Sequence, residues 1–249
     1  MIYLDKKYVL YTPLTNIEYD KNSMILEAVM ALQEYGAWIS SKGTKLKRHA
    51  HATDEVEKKS RQQQRDERPD DFPVQGVLLR GINGLKYSFS YLVTDTSKFE
   101  WTDCDCPTLR QFVESLPFEK LGRVNIQTVE RGYGLHKHID SVFRMDTKTV
   151  SRRKEHLAQY DIKNFNQDVD CFITLVLRGS GINFHFDRSN EKVCMDDELY
   201  YFCPHLIHHS IDKCDEQRII CRIEGKASTE LIDMIQMNAK ANRSKVLTI

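Results

Sequence analysis

The first periodic stretch of the chain is 23–39, SMILEAVMALQEYGAWI. It sets Ile25, Ala28, Val29, Leu32 and Tyr35 at helical spacing behind Ser23, a residue type that accepts from free helix N–H groups. This predicts an amphipathic helix with Ser23 as its cap. Residues 44–71 are nearly devoid of apolar side chains and read as a solvated helix or loop, closed by Pro69 and Pro73. From Val77 the period changes from helical to short β-type runs. VLLRG and YSFSYLV are expected strands around a GINGLK turn, PTLRQFVESLP (107–117) a short helix, and RVNIQTVERG (123–132) a strand ending at glycine. DCFITLVLRG (170–179) is almost wholly apolar, as expected of a strand buried on both faces. In INFHFD, Ile182, Phe184 and Phe186 alternate with Asn183, His185 and Asp187. EKVCMDDELYYFCP turns at Asp196-Asp197, QRIICRIEG adds another strand, and 228–240 form a closing helix capped by Ser228 or Thr229.

This order predicts a mainly β protein with flanking helices, a sandwich or barrel core. We divide the chain into an N-terminal helical and charged segment (1–76), a β core (77–225) and a C-terminal helix (226–249), all in one domain. Lys+Arg and Asp+Glu both number 36, so no net field points to nucleic acid or a membrane surface. No run approaches the roughly 20 apolar residues of a membrane span, and MIYLDKKYVLYTPL lacks the apolar core of a signal peptide. Seven cysteines without a CxxC argue against a zinc ribbon and fit a reducing compartment. The expectation is a soluble, cytoplasmic protein of undetermined oligomeric state.

Candidate chemistry lies in two separated segments. Iron(II) that activates oxygen needs two imidazoles and one carboxylate on one side, with open positions opposite. His-x-Asp at a strand end supplies two of these, because residues i and i+2 share a face. His138-Ile139-Asp140 follows a strand and a glycine pair, Gly132 and Gly134. A second triplet, His185-Phe186-Asp187, lies only 24 positions before His209, room for little more than one hairpin, and reads as a polar row on a barrel face. From His138 to His209 there are 71 positions, enough for the intervening strands of a barrel.

The third ligand is a histidine at 208 or 209. Alternation along a strand sends these two to opposite faces, so only one serves. His209 is favoured, since Ile211 then shares its inward face; His208 is the alternative. Arg218 follows ten residues after His208 and nine after His209, and its guanidinium can grip a carboxylate through two parallel hydrogen bonds. Gln127, on the strand before the His-x-Asp, is a candidate hydrogen-bond donor to a cosubstrate or a structural amide. Arg144 is a candidate for binding a substrate carboxylate or a solvated arginine. Tyr200 and Tyr201 read as core or pocket wall.

GRVNIQTVERGYGLHKHID and DDELYYFCPHLIHHSIDKCDEQRIICRIEG together resemble the iron/2-oxoglutarate oxygenases of the aspartyl/asparaginyl β-hydroxylase and proline hydroxylase group, over about 77–224. The resemblance implies a double-stranded β-helix (jelly-roll, cupin-like) fold. It also implies Fe(2+), 2-oxoglutarate and O2 as reactants, and hydroxylation of an amino acid, free or in a peptide, with release of succinate and CO2. Asp140 stands where related halogenases have a small residue, which favours hydroxylation. Two alternatives remain open: the same chemistry on a nucleobase or other small metabolite, and a cupin-like barrel that binds a metal or ligand without catalysis.

Overall fold

The computed structural model describes residues 2–39, 74–82, 99–132, 171–179, 182–186, 191–203, 208–210 and 215–248; along 208–210 only the backbone enters the account. The chain begins with strands β1 (Tyr3–Leu4) and β2 (Lys7–Pro13), then helix α1 (Lys21–Tyr35), β3 (Ala37–Ile39), β4 (Val74–Ile82), β5 (Phe99–Trp101) and helix α2 (Pro107–Ser115). After these come β6 (Phe118–Val129), β7 (Cys171–Arg178), β8 (Ile182–Phe186), β9 (Glu191–Met195) and β10 (Leu199–Phe202). The chain closes with β11 (His208–Ser210), β12 (Arg218–Ala227), helix α3 (Thr229–Ala241) and β13 (Leu247–Thr248).

The strands form two antiparallel sheets. The main sheet runs β1-β2-β10-β7-β12-β6-β4-β3, with β13 on β2 and β5 on β4; the small one runs β11-β8-β9. From β7 the chain passes to β8 and β9 in the small sheet, back to β10, out to β11 and back to β12. Such alternation between facing sheets is jelly-roll connectivity, so the mainly β, jelly-roll core expected from the sequence is present.

Period two explains why the central strands are almost continuously apolar. Odd-numbered residues of β7 and β12 (Ile173, Leu175; Cys221, Ile223) join one core with Met24, Ala28 and Leu32 of α1, Leu109 and Phe112 of α2, and Leu231 and Ile235 of α3. Even-numbered residues (Phe172, Val176; Ile220) join a second core with Tyr200 and Phe202 of β10 and with Phe184, Val193 and Met195 of the small sheet. The main sheet is therefore buried on both faces: helices cover one, the small sheet the other.

The helices depart from the sequence expectation in instructive ways. α1 is capped three residues earlier than expected, by Asp20: the carboxylate accepts from Ser23 N at 3.1 Å and from Ser23 Oγ at 2.6 Å. Ser23 is a partner of the cap. α1 also stops at Tyr35, not at residue 39, and Ala37–Ile39 pair with β4 instead. Gly36 marks the break, where a Cβ would collide with the Leu32 carbonyl and the Gln75 side chain. α2 has no capping side chain of its own; Glu27 of α1 accepts from Thr108 N at 2.8 Å and Leu109 N at 2.9 Å, placing an anion at its positive end. α3 is capped by Ser228, which accepts from Leu231 N.

The segment 1–76, read from the sequence as helical and charged, also contributes strands. β2 lies beside β10 in the main sheet, with Tyr11 aligned to Phe202 and Thr12 to Tyr201.

Candidate active site

The inner face of the main sheet is apolar at the small-sheet side but carries a row of buried polar groups on β6, β7 and β12. Thr174, Gln127, Asn125, Arg218, Arg222 and Glu224 are all below one-tenth exposed. Register explains the clustering. Arg218 aligns with Val129, Ile220 with Gln127 and Arg222 with Asn125 across β12 and β6; Arg222 also aligns with Thr174 on β7, which aligns with Tyr200 on β10. A pocket between the sheets is walled by Gln127, Val129, Thr174, Phe184, Met195, Tyr200, Phe202, Arg218, Ile220 and Arg222.

Arg218 is the most informative of these. It is 4% exposed, and its Nη2 donates to the Tyr200 hydroxyl at 3.1 Å. Its Nε has no hydrogen-bond partner among the described residues. A buried guanidinium is costly to desolvate and is retained where an anion or a set of acceptors meets it. Deeper on the same face, Arg123 Nη2 lies 2.6 Å from both carboxylate oxygens of Glu224, a buried ion pair.

Of the residues singled out from the sequence, Arg218 and Gln127 line this pocket together. Tyr200 lines it too, whereas Tyr201 points to the opposite, helix-covered core. His138, Asp140 and Arg144 lie outside the described residues. The backbone of β11 aligns His208 with Phe186, His209 with His185 and Ser210 with Phe184. His185 is half-buried and its strand neighbour Asn183 exposed, on the face opposite buried Phe184, as the polar-row reading of that strand expected. Among the described residues no three His, Cys, Asp or Glu side chains gather as a metal site.

Arg222, Asn125 and Thr174 were not picked out from the sequence. The signal for Arg222 was present in QRIICRIEG, because four residues on from Arg218 in a strand is the same face. Asn125 stands in the same relation to Gln127.

No known family's sequence profile matches the chain, and no curated protein matches it. Solved structures similar to it include a prolyl hydroxylase in complex with a hypoxia-inducible-factor oxygen degradation domain peptide fragment from Trichoplax adhaerens, 11% identical over 89% of this chain and 85% of that one, TM-score 0.45. Two others are a viral collagen prolyl hydroxylase from Paramecium bursaria Chlorella virus-1 in its 2-oxoglutarate complex (14% identical, 49% and 69% covered, TM-score 0.30) and a Pseudomonas putida prolyl-4-hydroxylase (12%, 49% and 60%, TM-score 0.29). At these TM-scores the fold rests on the strand order given above. Among the described residues no helix is long and apolar enough to cross a membrane.

Proposed function

We propose that this chain is an Fe(II)- and 2-oxoglutarate-dependent oxygenase that hydroxylates a C–H bond of an amino acid, free or within a peptide. The observation that carries the reading is Arg218, buried inside the jelly roll with its Nη2 donating to Tyr200 and its Nε unpartnered among the described residues. A 2-oxo dicarboxylate fits this arrangement: its far carboxylate neutralises Arg218 and accepts a second hydrogen bond from the Tyr200 hydroxyl, while Gln127 offers an amide N–H alongside. Val129, Phe184, Met195, Phe202 and Ile220 keep water from the carboxylate and so strengthen its pairing with the arginine.

His138, Asp140 and one histidine of β11 are the proposed iron ligands. Iron(II) held there would supply oxygen activation coupled to decarboxylation of the 2-oxo acid to succinate and CO2. Backbone register bears on the choice between the two histidines. Aligned residues of an antiparallel ladder share a face. Position 210 aligns with Phe184, which is buried toward the pocket, and position 208 is two residues away on that same period. Position 209 aligns with His185 on the other face. We therefore assign the ligand role to His208, in preference to the His209 that the local sequence pattern favours. Arg144 is kept as a candidate for a substrate carboxylate, and the amino-acid substrate rests on the sequence resemblance.

The test is succinate formation from 2-oxoglutarate under air with Fe(II) and ascorbate. Release that disappears with a chelator and in Arg218→Met is expected. Absent release would leave a ligand-binding barrel without catalysis, and release that survives the chelator would contradict the iron-dependent reading.

A further inference from the structure

Positions 208 and 209 fall on opposite faces of β11, and the proposed iron centre takes only one of them. Position 209 aligns with His185 of β8, and His185 lies on the outer face of the small sheet, opposite buried Phe184. On its other side β8 pairs with β9, where Cys194 is an exposed thiol between buried Val193 and Met195. Cys194 aligns with Asn183, two residues from His185, so the thiol and the imidazole are diagonal neighbours on this outer face. Each strand of the small sheet therefore brings one residue of metal-ligating type to the same face: position 209 on β11, His185 on β8 and Cys194 on β9.

The spacing suits a single ion. Aligned residues of an antiparallel ladder have Cβ atoms about 4.5–5.5 Å apart, and neighbouring strands lie about 4.8 Å apart. Metal bonds of about 2.0–2.1 Å to imidazole and about 2.3 Å to thiolate then let one ion above β8 be reached from both flanking strands. Two imidazoles and one thiolate make a borderline-soft donor set, which favours Zn(II) over Mg(II) or Ca(II) and leaves a fourth position for water. Lys192 also aligns with His185; it is exposed, and its flexible stem gives the ammonium room to stay in water.

We propose that His185, His209 and Cys194 form a second metal site, for a divalent transition metal of the zinc(II) kind, on the outer face of the small sheet. Binding takes the proton from the Cys194 thiol and releases it to solvent. The ion ties β11 to β8 and β9, and so fixes the strand whose adjacent position, 208, is the proposed iron ligand. The doubled histidine thereby serves two centres, one on each face of β11. The site stands without the oxygenase reading, because none of its residues is assigned to iron or lines the Arg218 pocket.

The experiment is titration of the reduced full chain with Co(II) under argon, followed by absorption. A thiolate bound to cobalt gives a sulfur-to-metal charge-transfer band in the near ultraviolet. The proposed iron ligands include no thiolate, so the band reports the outer site alone. Wild type is compared with Cys194→Ser, His185→Gln, His209→Gln, His208→Ala and Cys104→Ser, with thermal unfolding of each as the fold control. The band is expected in wild type, His208→Ala and Cys104→Ser, to be absent in Cys194→Ser, and to be abolished by an excess of Zn(II). His185→Gln and His209→Gln should each raise the Co(II) dissociation constant by about tenfold or more, since even partners behind the ligands are worth that much. Cys194→Ser is an exposed, nearly isosteric change and keeps the test alive if a histidine variant fails to fold. No band in wild type, a band that survives Cys194→Ser or Zn(II), or unchanged affinity in both histidine variants overturns the site. Each of these results leaves the oxygenase reading standing, because succinate release measures that separately.

Discussion

Arg218 on β12 and Tyr200 on β10 meet at 3.1 Å although β7 lies between their strands. Tyr200 aligns with Thr174, and Thr174 with Arg222, so its ring starts from the Arg222 rung and its hydroxyl reaches along the sheet to Arg218. Tyr11 of β2 packs against the same ring, with centroids 5.3 Å apart, and its own hydroxyl donates to Asp197 at 2.6 Å.

For cosubstrate binding this pair sets unequal expectations. Tyr200→Phe removes one hydrogen bond worth about 0.5–1.5 kcal/mol, so the KM for 2-oxoglutarate should rise by roughly threefold to tenfold with kcat little changed. Arg218→Met should remove saturation altogether, and Arg218→Lys should recover only part of it, because an ammonium cannot reproduce the planar two-bond grip. Steady-state succinate release against 2-oxoglutarate concentration checks all three.

Gly179 ties the fold to this arginine. Its φ is +90°, and a Cβ there would stand 2.9 Å from the Cα of Arg218. Gly179→Ala should cost about 1–3 kcal/mol of stability through backbone strain and also raise the KM for 2-oxoglutarate by displacing the start of β12. Urea denaturation and the same kinetic assay measure the two effects, which should appear together.

Much of this arrangement was legible in the sequence, for identifiable reasons. The strands from 118 to 227 declare themselves because period two and β-branched runs coincide, and α3 because Ser228 precedes a clean helical pattern. Arg218 and Gln127 were found through chemistry at a strand position, and the pocket brings them together. β2 escaped notice since KYVLYTP is a short run whose strand character comes from pairing with β10, distant in sequence. The break at Gly36 was likewise invisible, because it is set by Gln75 on β4. Arg222 and Asn125 look like ordinary polar punctuation until register shows that both face inward.

The Arg123–Glu224 pair should behave as a buried ion pair. Both side chains are about one-twentieth exposed, at 6% and 4%. Arg123→Met alone takes this cation from a buried carboxylate and should cost up to about 3–5 kcal/mol, while Arg123→Met/Glu224→Met together should recover most of that loss. Urea denaturation of the single and double variants decides it; an additive double loss would contradict the pairing.

Stability toward acid should depend on Glu198, which precedes Tyr200 by two residues. The hydrogen bond from Lys21 holds its carboxyl below the ordinary glutamate value, with the Lys21 charge and the Tyr19 hydroxyl assisting. A carboxyl depressed in the folded state binds protons more readily when unfolded. Its contribution is therefore present above the ordinary glutamate pKa, and is lost as pH falls through the lower folded value. Melting temperatures of wild type and Glu198→Gln from neutral to strongly acidic pH should differ most at neutral pH and converge at the acid end. A constant gap would show that the carboxylate charge is not involved.

The central claim is that one histidine of β11 and Arg218 serve a single iron and 2-oxoglutarate site. The most direct measurement is the charge-transfer absorption that develops when Fe(II) and 2-oxoglutarate are added without oxygen to the full chain, to His208→Ala and to His209→Ala. The account predicts the band in wild type and His209→Ala and its loss in His208→Ala. A band undiminished in His208→Ala, or none in wild type, would contradict it.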